Sequence, residues 1–321
     1  MTAYGPASGF LLVGGKDISS DTFQLEEAVE QVLEQSNGLG RSWEEHLPVG
    51  VAKVMLSASG GFYDDRTAGI VAALQAMGAT RQLVSWGKSG HAPGADIVQI
   101  DGDFGAKFNR IAQRDGLTKA HADHVITGQY YAGRTLHGLT AETASGNSQA
   151  TSVDATTALR PKPITNATVA NPTVVTAPSH GLTSTDTILI AGSTTTPTID
   201  GSRVVTVVDP NTFTVPVNVT SGGGAQTATF SQVTKTGAIA DIHIPALTLG
   251  GYTNVTVIVR DSADNGTFAN VAGGTFTNVT AAGASQRLTI AGQVQRYMAI
   301  SWLWNGAGSG QSLIPYVGLW R

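Results

Sequence analysis

His121-Ala122-Asp123-His124 puts two imidazoles and a carboxylate, the side chains that hold zinc and similar cations, within four residues. The spacing matches no standard zinc site and no second ligand cluster accompanies it, so a solvated turn ahead of a strand over residues 125–131 is expected. Asp64-Asp65 and Asp101-Gly102-Asp103 are carboxylates of the kind a hydrolase or a calcium loop requires. The calcium-loop spacing is absent, and Asp–Gly sequence more often marks turns. Seven histidines allow a Ser/His/Asp set to be written on paper, but no Gly-x-Ser-x-Gly elbow makes one specific. Gly14-Gly15-Lys16 lacks the spacing of a phosphate loop. The absence of cysteine excludes disulfides, cysteine-ligated zinc and thiol nucleophiles. The residues therefore predict no enzyme, no cofactor and no metal.

The elements that surround these residues read mostly as strands. Of the 321 residues only 13% are charged, against about 25% in a typical soluble domain. The chain's 39 threonines equal its glycines in number. Its formal net charge of −4 gives no basic surface for holding nucleic acid. No run of 18 apolar residues suggests a membrane-spanning helix, and the first 20 residues do not read as a secretory signal. Charge is spread unevenly. Residues 163–232 carry only Asp186, Asp200, Arg203 and Asp209, and this Thr/Val-rich stretch starts at Pro161 and Pro163 and nears its end at Gly222-Gly223-Gly224. Short β-branched runs at 187–191, 202–208 and 212–219, separated by turns such as Asp209-Pro210-Asn211, predict a small all-β unit inserted in another domain. The flanks continue in strands at 254–260, 289–293 and 296–304. Val255, Val257 and Val259 share one face, as do Trp302 and Trp304. Residues 67–77, rich in Ala and Leu and stopped by Gly78, predict a helix.

Residues 21–35 fit two periods. Leu25, Val29, Val32 and Leu33 form a helical stripe. In a strand, Leu25, Val29 and Leu33 share one face while Glu26, Glu30 and Glu34 share the other.

Several motifs occur together. Gly40-Arg41-Ser42-Trp43-Glu44-Glu45-His46-Leu47-Pro48-Val49-Gly50 is followed by the apolar run 54–57 and by Gly61-Phe62-Tyr63-Asp64-Asp65. With residues 257–260, Ser262-Ala263-Asp264-Asn265-Gly266-Thr267-Phe268 and Gln295-Arg296-Tyr297, they resemble the major tail tube proteins of long-tailed, siphovirus-like phages. The middle stretch resembles a small β-barrel module first described in ubiquitin-activating enzymes. It does so through Ala177-Pro178-Ser179-His180-Gly181-Leu182, Asp186, Ile190-Ala191-Gly192, Ile199-Asp200-Gly201 and residues 209–215. Without cysteine, no ubiquitin chemistry follows.

The resemblance implies a mainly β chain: a tail-tube-type β-sandwich or half-barrel with a flanking α-helix, formed by residues 1–162 and 233–321. Residues 163–232 would be an inserted all-β module on the tube exterior. It favours the strand reading of residues 21–35 and makes Glu26, Glu30 and Glu34 candidate lumen-facing acidic residues. The implied function is a virion structural protein, made in the host cytoplasm, that forms hexameric rings stacked into the conduit for DNA ejection. Implied partners are further copies of the chain, a tape measure protein and the tail terminator and distal tail proteins, with double-stranded DNA passing through unbound. The alternative expectation is a virion surface or adhesion protein whose Thr-rich module binds a host glycan.

Overall fold

The computed structural model describes residues 9–21, 24–30, 33–35, 46–48, 53–62, 81–87, 89–111, 119–126, 130–155 and 161–321. These residues are mainly β, with two short 3-10 turns at Ser19–Asp21 and Gln149–Thr151. The helix predicted over residues 67–77 lies outside the described residues.

Among the described residues the largest sheet has eleven strands. Eight of them run in the order Lys16–Asp17, Phe10–Val13, Gln82–Gly87, Asp96–Ile111, Tyr130–His137, Ser312–Trp320, Lys235–Thr248 and Ala284–Val294. The two ends of this path approach each other: Lys16–Asp17 touches Lys235–Thr248, and Ala284–Val294 touches Gln82–Gly87. The sheet is thus rolled, as the right-handed twist of strands favours.

A five-stranded sheet covers the convex face of the roll. It contains Gly146–Asn147, Val153–Asp154, Tyr297–Asn305, Asn254–Ser262 and Ala269–Thr275. Strand alternation accounts for the core between the two sheets. Val255, Val257 and Val259 point in from one strand and Met298, Ile300, Trp302 and Trp304 from its neighbour. They meet Ile242, Ile244, Leu313, Val317 and Leu319 of the rolled sheet. The faces expected for the three valines and the two tryptophans are the faces that are buried.

Strands between residues 162 and 232 pair only with one another among the described residues. They form a four-stranded and a five-stranded sheet around Ile164, Val175, Ile188, Ile190, Phe213, Val215 and Phe230. The run expected over 202–208 is two strands, Gly201–Val204 and Thr206–Asp209, in different sheets. Val205 is the crossing point: its side chain is buried and its N–H bonds to the Asp186 carbonyl.

The Asp101-Gly102-Asp103 turn does not occur. Both aspartates lie in strand Asp96–Ile111, where Leu83 pairs with Asp101 and Gln82 with Asp103, leaving Gly102 as an extra residue. The Asp–Gly signal marks a bulge in place of a turn. The turn expected at His121-Ala122-Asp123-His124 is also a strand, Lys119–Ile126, paired on both sides. Pairing with two neighbours decides its conformation although its sequence is not β-branched.

Candidate functional site: an open-edged ribbon beside a buried polar centre

Asp96–Ile111 is long enough to belong to two structures. Its first half lies between Gln82–Gly87 and Tyr130–His137 in the roll, and its second half leaves them to pair with Lys119–Ile126. From there the order continues through Lys53–Phe62 to Gln24–Glu30, all antiparallel. The register runs straight across: Glu27 faces Leu56, Leu56 faces His124, and His124 faces Gly105. The result is a four-stranded ribbon projecting from the roll. Among the described residues, Gln24–Glu30 pairs only with Lys53–Phe62, and residues 104–111 pair only with Lys119–Ile126. Among the described residues, both outer edges therefore carry backbone donors and acceptors with no further strand beside them.

The three candidate glutamates are divided between two strands. Glu26 and Glu30 lie at alternate positions on Gln24–Glu30, opposite Ser57 and Lys53. Glu34 lies on a separate strand, Leu33–Gln35, which pairs with His46–Pro48 in a two-stranded sheet. The strand reading of residues 21–35 holds as two pieces rather than one. The alternation argument consequently joins Glu26 to Glu30 and stops short of Glu34. Asp64 and Asp65 lie outside the described residues.

A second cluster, which sequence reasoning missed, fills the inside of the roll. Strand Lys235–Thr248 is buried on both faces from Ala238 to Ile244. Ala240, Ile242 and Ile244 enter the sandwich core, while Asp241 and His243 point the other way. Asp241 accepts two bonds from Arg287, Nε to Oδ1 at 2.7 Å and Nη2 to Oδ2 at 2.6 Å. Arg287 also pairs with Asp101 at 3.3 Å and lies 5.4 Å from the Tyr131 ring centre. Burial pushes the Asp241 carboxyl above its ordinary range, and the Arg287 bonds pull the other way. The signal for this centre was the alternation of Asp241 and His243 with three apolar residues in a stretch, 238–244, that is buried on both faces.

His243 lies 3.0 Å through Nε2 from the Ser85 hydroxyl, and its Nδ1 accepts the Gly15 N–H at 3.2 Å. Burial, with a smaller push from Arg287, lowers the ring's pKa to about 3, so it is neutral. A neutral ring that accepts at Nδ1 carries its proton on Nε2 and donates it to Ser85. A serine nucleophile needs the reverse, a lone pair on that nitrogen. The pair is therefore a structural hydrogen bond. Alongside it, Thr135 Oγ1 and Tyr316 OH are 3.1 Å apart, and Phe10, Leu12 and Ile97 close the apolar side. Among the described residues no group of three or more His, Asp or Glu side chains is arranged to hold a metal ion.

Within residues 163–232, the large exposed apolar side chains are Val169, Leu189, Val204 and Val208. The two aromatic residues there, Phe213 and Phe230, are buried with ring centres 5.7 Å apart. The insert thus has no aromatic platform on which a sugar ring would stack.

No protein-family model and no curated protein matches the chain. Among solved structures, a chain of the native gene transfer agent virion is similar over 40% of this chain and 98% of its own, at 15% identity and a TM-score of 0.30. A chain from the tail of an empty gene transfer agent particle with C6 symmetry covers 39% of this chain and 82% of its own, at 14% identity and a TM-score of 0.26. The SPP1 Dit protein, described as a hub of the adsorption apparatus in phages that infect Gram-positive bacteria, covers 98% of this chain and 99% of its own. Its identity is 7% and its TM-score 0.28. Likeness at these scores assigns neither fold nor function.

Proposed function

We propose that the chain is a structural protein of a phage tail, whose copies join edge to edge into rings that stack as the tail tube. The observation that carries this reading is the four-stranded ribbon whose two outer edges meet no further strand among the described residues. Gln24–Glu30 at one edge and residues 104–111 at the other are different surfaces, so pairing one with the other is a head-to-tail contact, which closes into a ring when the rotation allows. Closure removes the exposed edges that otherwise invite aggregation. Six copies would supply about 24 strands, giving a barrel roughly 45–50 Å across the backbone at the usual strand spacing and tilt. The motifs shared with tail tube proteins support the same assembly.

In such a ring Glu26 and Glu30 would present carboxylates along one barrel face, and a negatively charged lumen would let DNA phosphates pass without pairing. Residues 163–232, whose strands pair among themselves, would lie on the exterior. Negative-stain microscopy of the concentrated, purified chain tests the assembly. Stacked rings or tubes are expected, and particles that stay single at every concentration would overturn it.

A further inference from the structure

The insert is joined to the rest of the chain by more than its two connections. Asp186, at the foot of strand Thr187–Ala191, is 0% exposed although it is one of four charges in its stretch of chain. Its Oδ2 accepts the Thr183 N–H at 2.8 Å and the Gln232 side-chain amide at 2.7 Å, both within the insert. Its Oδ1 accepts the Thr236 N–H at 2.8 Å, from strand Lys235–Thr248 of the rolled sheet. One buried carboxylate is thus shared between the two units, and charge-assisted bonds of this kind are strong and directional.

The surrounding groups repeat the pattern. Val233 N and Thr234 N both donate to the Thr187 carbonyl, at 2.8 and 3.1 Å, and Thr187 N donates to Thr234 Oγ1 at 2.8 Å. From the body, the Gln293 side chain donates to the Thr185 carbonyl, and the Thr185 and Thr236 hydroxyls lie 3.3 Å apart. Arg321 donates to the Val233 carbonyl at 3.4 Å and to the Gln295 carbonyl, and it feels the charges of Asp154, Asp186 and Asp261. A flexible linker leaves its backbone to water and its neighbours unconnected. Here the exit segment 233–236 is held by hydrogen bonds from both sides.

We propose that Asp186 is a clamp that holds residues 162–232 on the body in one fixed orientation, in place of a flexible tether. Because the chain has no cysteine, two introduced cysteines take spin labels uniquely. Ser202→Cys on the insert and Thr277→Cys on the body are both at exposed positions. Pulsed dipolar spectroscopy on the full chain should give one narrow distance distribution. Adding Asp186→Asn, which points an amide group at donors, should widen it several-fold, and so should Thr236→Pro, which removes the body's N–H donor to Asp186 together with the Thr236 hydroxyl. Amide exchange within the insert shows whether it stays folded. Should Asp186→Asn unfold it, Thr236→Pro carries the test. A broad distribution in the doubly labelled parent, or a narrow one that survives in a variant with a folded insert, would overturn the clamp.

Discussion

His243 is enclosed by Ser85, the Gly15 amide, Arg287 and the Tyr316 ring, and none of these favours a second proton on the imidazole. The unfolded chain protonates this residue near its ordinary pKa of 6.5, while the folded chain resists to about 3. Above pH 6.5 both states are neutral and the group is silent. As pH falls from 6.5 toward 3 the unfolded state gains the proton first, so stability drops by about 1.4 kcal/mol per pH unit in that window. Urea titrations of the parent and His243→Gln between pH 7 and 4 check this: the variant starts less stable and loses less on acidification. Arg287 poses the complementary case. Arg287→Met strands the Asp241 carboxylate without its bidentate partner and should cost roughly 3–5 kcal/mol, whereas adding Asp241→Leu should recover most of it. A double-mutant cycle in which the two losses simply add would show that the pair is not coupled.

Strand Tyr297–Asn305 illustrates what could be read at the level of elements and what could not. Alternation alone placed Trp302 and Trp304 on one shared face, and that face is buried, while Leu303 between them is 51% exposed. Trp302→Ala removes core volume and the Nε1 bond to the Ala144 carbonyl, so it should cost about 3–5 kcal/mol, and Leu303→Ala should change stability by less than about 0.5 kcal/mol. Equal effects in thermal melts would mean the two faces are misassigned. In residues 163–232 the strand at 187–191 and the Asp209-Pro210-Asn211 turn were legible as local signals, whereas the run 202–208 hid the crossing at Val205 and the strand expected over 212–219 stops at Val215. Asp209 caps that turn through Asn211 N and Thr212 Oγ1, both at 2.7 Å. Strand Lys119–Ile126 and the Gly102 bulge were not legible, because long-range pairing rather than local propensity decides them. The polar centre escaped for a related reason. A strand covered on one face by a sandwich and on the other by its own rolled sheet shows no polar face, and only the closing of the roll reveals that Asp241 and His243 are inside.

At the scale of the whole molecule, the ribbon and the insert make separable demands. Strands of the insert pair only with one another among the described residues, so replacing residues 163–232 by a short Gly/Ser linker leaves every pairing of the ribbon in place. Rings should still form, and their loss in that variant would make the insert part of the wall. The lumen is the sharper question, since Glu26 and Glu30 share strand Gln24–Glu30 while Glu34 belongs to Leu33–Gln35. Reversing the charge at both Glu26 and Glu30 to Lys would line a sixfold barrel with cations where it had anions. Passing phosphates would then meet partners at every ring, and counterion release would favour holding the DNA. Ejection from particles built with this double variant should slow or stall, and more so at low salt, where screening extends further. Glu34→Lys alone tests whether the second strand contributes, and a slowing there would place Leu33–Gln35 on the same channel. Normal rings with unchanged ejection in the double variant, at low as well as high salt, would move Glu26 and Glu30 off the lumen and leave the channel to be lined from another strand of the ribbon.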